Sequence, residues 1–236
     1  MHYSFNTIGI VHSCFKDKFG VPRQPGLIVG ARGEIELFPP YDRAEAVAGL
    51  EAFSHLWISF VFHHCLESDK RLSVRPPRLG GNKKLGVFAT RATHRPNPIG
   101  LSVVALDEIV QYRGGIHLRV SGLDLVEGTP VLDIKPYLPY ADCIVDAKAG
   151  YAQEPPRSVL KVDFSAEAQK SCAQHEQRWP GLADLIESVI SLDPRPAYYR
   201  RIEPERVFGI CLYDLDVRWR VKKEGVAEVV ELCKVA

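Results

Sequence analysis

Apolar positions in the first 135 residues come in short runs bounded by glycine, proline and asparagine, and few follow helical spacing. Phe5 to His12 mixes Ile8, Ile10 and Val11 with small residues and predicts a first strand. Leu56 to His63, LWISFVFH, is rich in aromatic and β-branched residues, which predicts a buried strand. Gly86 to Thr90 and Leu101 to Ile109 predict two more, joined across a Pro/Asn/Gly turn. Ile116 to Val120 alternates like a half-buried strand after the Gly114-Gly115 turn. One stretch departs from this pattern. In Asp42 to Phe53, the residues Ala44, Val47, Leu50 and Phe53 recur at helical spacing, which predicts a helix with Asp42 as its N-cap. Many short strands with little helix predict an antiparallel barrel or sandwich.

The texture then changes. Pro136 to Arg157 holds four prolines among small and polar residues, the composition of a boundary. Beyond it, Val159 to Phe164 predicts a strand. Ser165 to Arg178 predicts a helix capped by Ser165, and Gly181 to Leu192 a second one. Val207 to Tyr213, Val217 to Lys222 and Ala227 to Leu232 predict three closing strands. The expected fold class is therefore β-rich α+β, with a larger β domain over residues 1–145 and a small α+β domain over 146–236.

A net charge of +1 gives no general pull toward nucleic acid or membrane. The distribution changes that picture. Eight of the 30 Lys and Arg, and none of the 29 Asp and Glu, lie between Lys70 and Leu106. A local basic run suits an anionic partner, and equally a solvated face. Six cysteines are scattered without a CxxC or a Cys/His cluster, which points away from zinc and from a disulfide framework. No basic segment followed by an apolar run opens the chain, and no apolar stretch nears the ~20 residues that span a bilayer. The expectation is a soluble cytoplasmic protein with reduced thiols and no membrane partner.

Candidate chemistry collects in rigid, Gly/Pro-punctuated loops: VPRQPG (21–26), VRPPRLGGN (74–82), TRATHRPNPIG (90–100), LVEGTPVLDIKPY (125–137) and DPRPAYYR (193–200). Prolines fix φ and glycines permit close backbone approach, so such loops hold a shape. His63 and His64 end the aromatic strand, where alternation should turn one inward and one outward. No carboxylate or cysteine stands at a spacing that would complete a metal shell, so no metal is expected. No GxSxG elbow, P-loop or GxGxxG is present, which points away from a serine hydrolase and from a Rossmann nucleotide site. Asp124 and Asp133 are either turn and capping residues or candidate general bases. Lys83, Lys84, Arg95, Arg195 and Arg200 are candidate phosphate contacts, and Tyr198 a candidate for stacking on a base. Residues alone leave two classes open: an enzyme, or a non-catalytic β-domain that binds RNA or an anionic metabolite.

Taken together, VPRQPG, EAFSHLWISFVFHH, VRPPRLGGN, GVFATRATHRPNPIGLSVV, LDLVEGTPVLDIKPYLPYAD and DPRPAYYR resemble the TsaA/TrmO family of S-adenosylmethionine-dependent tRNA methyltransferases. The resemblance spans most of the chain and keeps the family's order. It implies a single-sheet, non-Rossmann β-barrel methyltransferase domain, a small C-terminal domain that contributes to tRNA recognition, and a homodimer. It further implies N6-methylation of threonylcarbamoyl-adenosine at position 37 of the tRNA anticodon stem-loop. Carried onto this sequence, the S-adenosylmethionine contacts would be Gln24, Pro25, Gly26, His63, His64 (through its backbone), Arg91, Leu101, Gly128, Thr129, Pro130 and Val131.

Overall fold

The computed structural model describes residues 2–67, 71–112, 114–196, 199, 206–223 and 225–235. Twelve strands are found among them. They are β1 (Gly9–Ser13), β2 (Arg32–Leu37), β3 (His55–Val61), β4 (Ser73–Val74), β5 (Leu85–Gly86), β6 (Ile99–Tyr112), β7 (Gly115–Ser121), β8 (Thr129–Pro136), β9 (Lys161–Phe164), β10 (Val207–Leu212), β11 (Leu215–Lys223) and β12 (Val226–Lys234). The helices are α1 (Ala44–Val47), α2 (Pro139–Asp142), α3 (Ala166–His175) and α4 (Leu182–Ser191).

Period-two alternation decides which side of each N-terminal strand is covered. Leu56, Ile58 and Phe60 of β3, Gly100, Ser102 and Val104 of β6, and Leu118 and Val120 of β7 are all buried. Their neighbours Ser59, Leu101 and Arg119 face outward to varying degrees. A sheet with one apolar face can bury it by curling shut, and this one closes in the order β1-β2-β7-β6-β3-β8, antiparallel throughout. β1 seals the ring against β8 through the register Gly9↔Val131 to Val11↔Thr129. At Gly100 the Phe60 ring of the neighbouring strand occupies the space that a side chain would fill. The missing β-carbon is what lets that ring turn inward.

The C-terminal strands form a separate sheet, β10-β11-β12-β9, in which only the β12–β9 pair is parallel among the described strands. β9 feeds α3, whose first turn is capped as expected: the Ser165 hydroxyl accepts from the Ala168 N–H at 3.0 Å. α4 buries Leu182, Leu185, Ile186, Val189 and Ile190. A mostly exposed segment from Pro139 to Val159 connects sheet and barrel. The two are also joined directly: Phe15, fully buried, bridges to Leu212 of β10, and Tyr213 N–H donates to the Cys14 carbonyl at 2.7 Å. One hydrophobic core runs through both.

Three sequence expectations are corrected. Asp42–Phe53 is not one helix but the single turn α1, with Arg43 rather than Asp42 at the N-cap position and no side-chain capping bond, followed by a 3₁₀ turn at Leu50–Ala52. Gly49 between them sits at φ 85°, a left-handed conformation that ends a helix. Gly86–Thr90 is not a strand either: β5 stops at Gly86 and a 3₁₀ turn takes Val87–Ala89. Finally, β3 ends at Val61, so His63 and His64 lie in a 3₁₀ turn and do not alternate across a sheet. No helix among the described residues is long and apolar enough to cross a membrane.

Candidate active site

Antiparallel closure puts the C-terminal ends of β1, β7 and β3 and the N-terminal ends of β2, β6 and β8 on one rim. Three connections therefore share that rim: residues 14–31, 62–98 and 122–128. Residues distant in the chain meet there. Gly26 N–H donates to the Gly122 carbonyl at 2.9 Å, and the Arg91 guanidinium bonds the Gln24 side-chain oxygen. Phe62 N–H donates to the Pro98 carbonyl at 2.7 Å, and the Cys65 thiol lies 3.5 Å from the Thr93 hydroxyl, which pins the PNPIG loop to the His63–His64 turn.

The two histidine rings lie 4.0 Å apart and are tilted by 36°. Lys18 Nζ donates to the His64 carbonyl at 3.3 Å. Burial, then the neighbouring His64 and Lys18 charges, hold His63 below the ordinary histidine value, although a Val61 backbone bond opposes them. The ring is therefore neutral at pH 7. Gly26 and Gly128 both sit at φ 73° with nothing within 4 Å of where a β-carbon would stand. That open backbone can approach a ligand closely. Thr129 and Val131 are buried, so past Gly128 only Pro130 and the main chain offer themselves outward. Pairing of β8 with β3 stops at Phe60↔Val131, which leaves the β3-facing edge of Thr129 and Pro130 outside that ladder.

The strand pleat separates the two candidate carboxylates. Ser59 pairs with both Leu101 and Asp133, so these three form a row on the outer face of the barrel. Asp133 is half exposed there, with Lys135 Nζ 3.5 Å away. Asp124 instead lies in the rim loop and accepts a 2.6 Å bond from Ser102, an inward position of β6. Burial pushes the Asp124 carboxyl up to about 6, against the opposing pull of the Ser102 bond and the Arg91 charge. Ser102 did not stand out in the sequence. Its signal was a polar residue in an otherwise apolar inward slot of IGLSVV.

Of the candidate phosphate contacts, Lys83 and Lys84 are exposed. Arg95 is folded onto its own loop, donating to the Thr90 carbonyl at 2.7 Å and the Ala92 carbonyl at 3.4 Å. Arg195 is buried and grips Asp193 with both Nε (2.7 Å) and Nη2 (3.0 Å). Tyr198 and Arg200 lie outside the described residues. Among the described residues no group of three His, Cys, Asp or Glu is placed to hold a metal ion.

Comparison with known proteins agrees with this architecture. Residues 10–143 match the family profile of the tRNA-methyltransferase O N-terminal domain, and residues 157–235 match that of the TrmO C-terminal domain. The tRNA (adenine(37)-N6)-methyltransferase of Escherichia coli K12 is 52% identical over 223 residues, covering 94% of this chain and 95% of that protein. A Pseudomonas aeruginosa protein, RcsF, named provisionally as an S-adenosylmethionine-dependent methyltransferase, is 51% identical over 233 residues, 98% of each chain. The crystal structure of TrmO from Pseudomonas aeruginosa superposes with a TM-score of 0.82 at 44% identity, covering 99% of both chains. Both profiles match in order, together covering most of the chain, and the fold superposes on a solved TrmO structure over 99% of its length, so the chain belongs to the TrmO family.

Proposed function

We propose that this protein transfers a methyl group from S-adenosylmethionine to N6 of adenosine 37 in tRNA, and that the acceptor is the threonylcarbamoyl form of that nucleoside. The name of the Escherichia coli relative supports the tRNA acceptor, and that of the Pseudomonas aeruginosa relative the donor. The observation that carries the reading is the rim itself: a largely buried carboxylate pushed up to about 6, Asp124, beside the Gln24–Arg91 pair and two open glycines.

Bound S-adenosylmethionine supplies an electrophilic methyl on a positively charged sulfur. Gln24, Pro25, Gly26, His63, His64, Arg91, Leu101 and Gly128 to Val131 would hold it, with the two open glycines admitting it against the backbone. A neutral His63 spares a cationic donor one repulsion. The acceptor nitrogen carries a carbonyl substituent and is a poor nucleophile until its proton leaves. Asp124, ionised at neutral pH yet close to its own titration range, accepts that proton, and Ser102 fixes the carboxylate's orientation. Asp133, on the outer face and next to Lys135, is less suited to that task. Lys83 and Lys84 contact tRNA phosphates. Outward Ile99, 43% exposed, and Phe88 at 80% suit burial against a second copy in a homodimer. The setting is the cytoplasm, where tRNA is.

The test is label transfer from methyl-labelled S-adenosylmethionine to tRNA with and without the threonylcarbamoyl group. Label confined to the modified tRNA is the expected result. Equal label in both would overturn the acceptor, and donor binding without label in either would overturn the reaction.

A further inference from the structure

Glu127 immediately precedes the Gly128–Val131 segment, and its surroundings are out of proportion to a turn residue. Its carboxylate accepts from the Ser13 N–H at 2.6 Å and from Lys16 Nζ at 2.7 Å on one oxygen, while the other lies 3.1 Å from His12 Nδ1. The backbone is tied to the same neighbours: Glu127 N–H donates to the Phe15 carbonyl at 2.8 Å, and Gly128 N–H to the Val11 carbonyl at 2.9 Å. His12 in turn reaches Glu36 of β2 through Nε2 at 2.8 Å. A neutral imidazole has one N–H, so only the imidazolium donates to both carboxylates. Burial opposes that charge, but the bonds and charges of Glu36 and Glu127 outweigh it, and the His12 value is raised. Burial likewise opposes ionisation of Glu127, yet Lys16, Ser13 and His12 hold it below the ordinary carboxylate range.

We propose that Glu127 is a positioning residue that clamps the Gly128–Val131 segment of the methyl-donor site to the end of β1. The segment it grips, Ser13 to Lys16, also carries the Phe15↔Leu212 bridge, and Lys16 N–H donates to the Cys211 carbonyl at 3.2 Å. One carboxylate therefore sets the donor segment against both the barrel wall and the edge strand of the C-terminal sheet. The three side-chain anchors come from β1 and the loop after it, with His12 braced in turn by Glu36 of β2, and none comes from the residues nearest in sequence to Glu127. This inference rests on the donor-site reading given above.

The experiment compares full-length wild type, Glu127→Gln, Glu127→Ala and His12→Gln. It measures the KM for S-adenosylmethionine, kcat at saturating donor, direct donor binding by calorimetry, and amide hydrogen exchange of residues 126–131 without donor. Glu127→Gln keeps an oxygen for the Ser13 N–H but loses the charge toward Lys16 and His12. The expected result is a donor KM and Kd raised about tenfold in Glu127→Ala, equivalent to roughly 1.4 kcal/mol, and raised less in Glu127→Gln and His12→Gln. kcat should stay within about twofold, and the Glu127 and Gly128 amides should exchange faster. A merely structural role would shrink the active fraction, lowering kcat with an unchanged KM, and that result overturns the proposal. So does wild-type donor affinity in Glu127→Ala. If wild type itself binds no donor, the donor-site reading falls and takes this inference with it, a result distinct from binding that ignores the Glu127 changes.

Discussion

Replacing Asp124 by Asn should make the protein more stable and nearly inactive at once. Burial moves this carboxyl from its ordinary 3.8 up to about 6. The folded state therefore holds the proton more tightly than the unfolded chain, and stability falls as pH rises from about 4 to about 6. Above that window the ionised carboxylate destabilises the fold by about 3 kcal/mol, and below it the penalty is absent. Asn keeps an oxygen to accept the Ser102 bond and carries no charge to bury. The Asp124→Asn variant should then melt roughly 6–12 °C above wild type at pH 8, and the gap should close toward pH 4. A general base contributes about 10²- to 10⁴-fold, so single-turnover transfer to modified tRNA should fall by at least about a hundredfold. The wild-type rate should rise with pH through about 6, and the variant's should not. Melting by calorimetry across pH, paired with single-turnover label transfer, checks both halves. A variant with the wild-type rate removes Asp124 as the base, and a stability gap that persists unchanged at pH 4 refutes the burial argument.

Three further expectations follow from the packing and the surface. A β-carbon at Gly100 would sit inside the Phe60 ring, so Gly100→Ala should destabilise by about 1–3 kcal/mol, read as a lowered denaturant midpoint. Ser165→Ala removes the α3 cap and should lower stability by about 1 kcal/mol in the same assay, without moving donor KM. Changing both Lys83 and Lys84 to Gln should weaken tRNA binding and reduce the slope of log K against log salt by about 0.7–0.9 per lost contact, leaving donor binding intact; an unchanged slope removes both lysines from the interface.

Local chemistry was readable wherever local chemistry decides the outcome. The aromatic and β-branched run LWISFVF, the stretch LSVVALDEI after the Pro/Asn/Gly turn, and the alternation of Ile116–Val120 after the diglycine led directly to β3, β6 and β7. Ser165 capped the helix that its hydroxyl announced. Local pattern misled where a single backbone event overrode it. Helical spacing in Asp42–Phe53 was broken by Gly49 in a left-handed conformation, and the strand expected at Gly86–Thr90 turned after Gly86. The motif residues were likewise visible as rigid loops, but a loop's shape does not say which other loop it meets.

Tertiary closure decided the rest, because it joins groups far apart in the chain. Gln24, Arg91 and Asp124 share a rim because the antiparallel order β1-β2-β7-β6-β3-β8 sets their three loops along one edge of the sheet, which closure of β8 onto β1 curls into a ring. Asp124 and Asp133, nine positions apart, look interchangeable in sequence. The pleat sends Asp133 to the outer face while the rim loop buries Asp124 against Ser102, and that difference in desolvation separates an exposed carboxylate from one pushed up to about 6. Arg195 shows the same logic in reverse: basic residues beside tyrosines suggest a nucleic-acid contact, but its position in the packed domain hands the guanidinium to Asp193. Sequence determined the strands β1, β3, β6, β7 and β9 to β12 and the Ser165 cap, since those depend on neighbours within a few residues. Ionisation, burial and partnership depend on what the fold brings within hydrogen-bonding reach, and only the closed barrel and its appended sheet determined those.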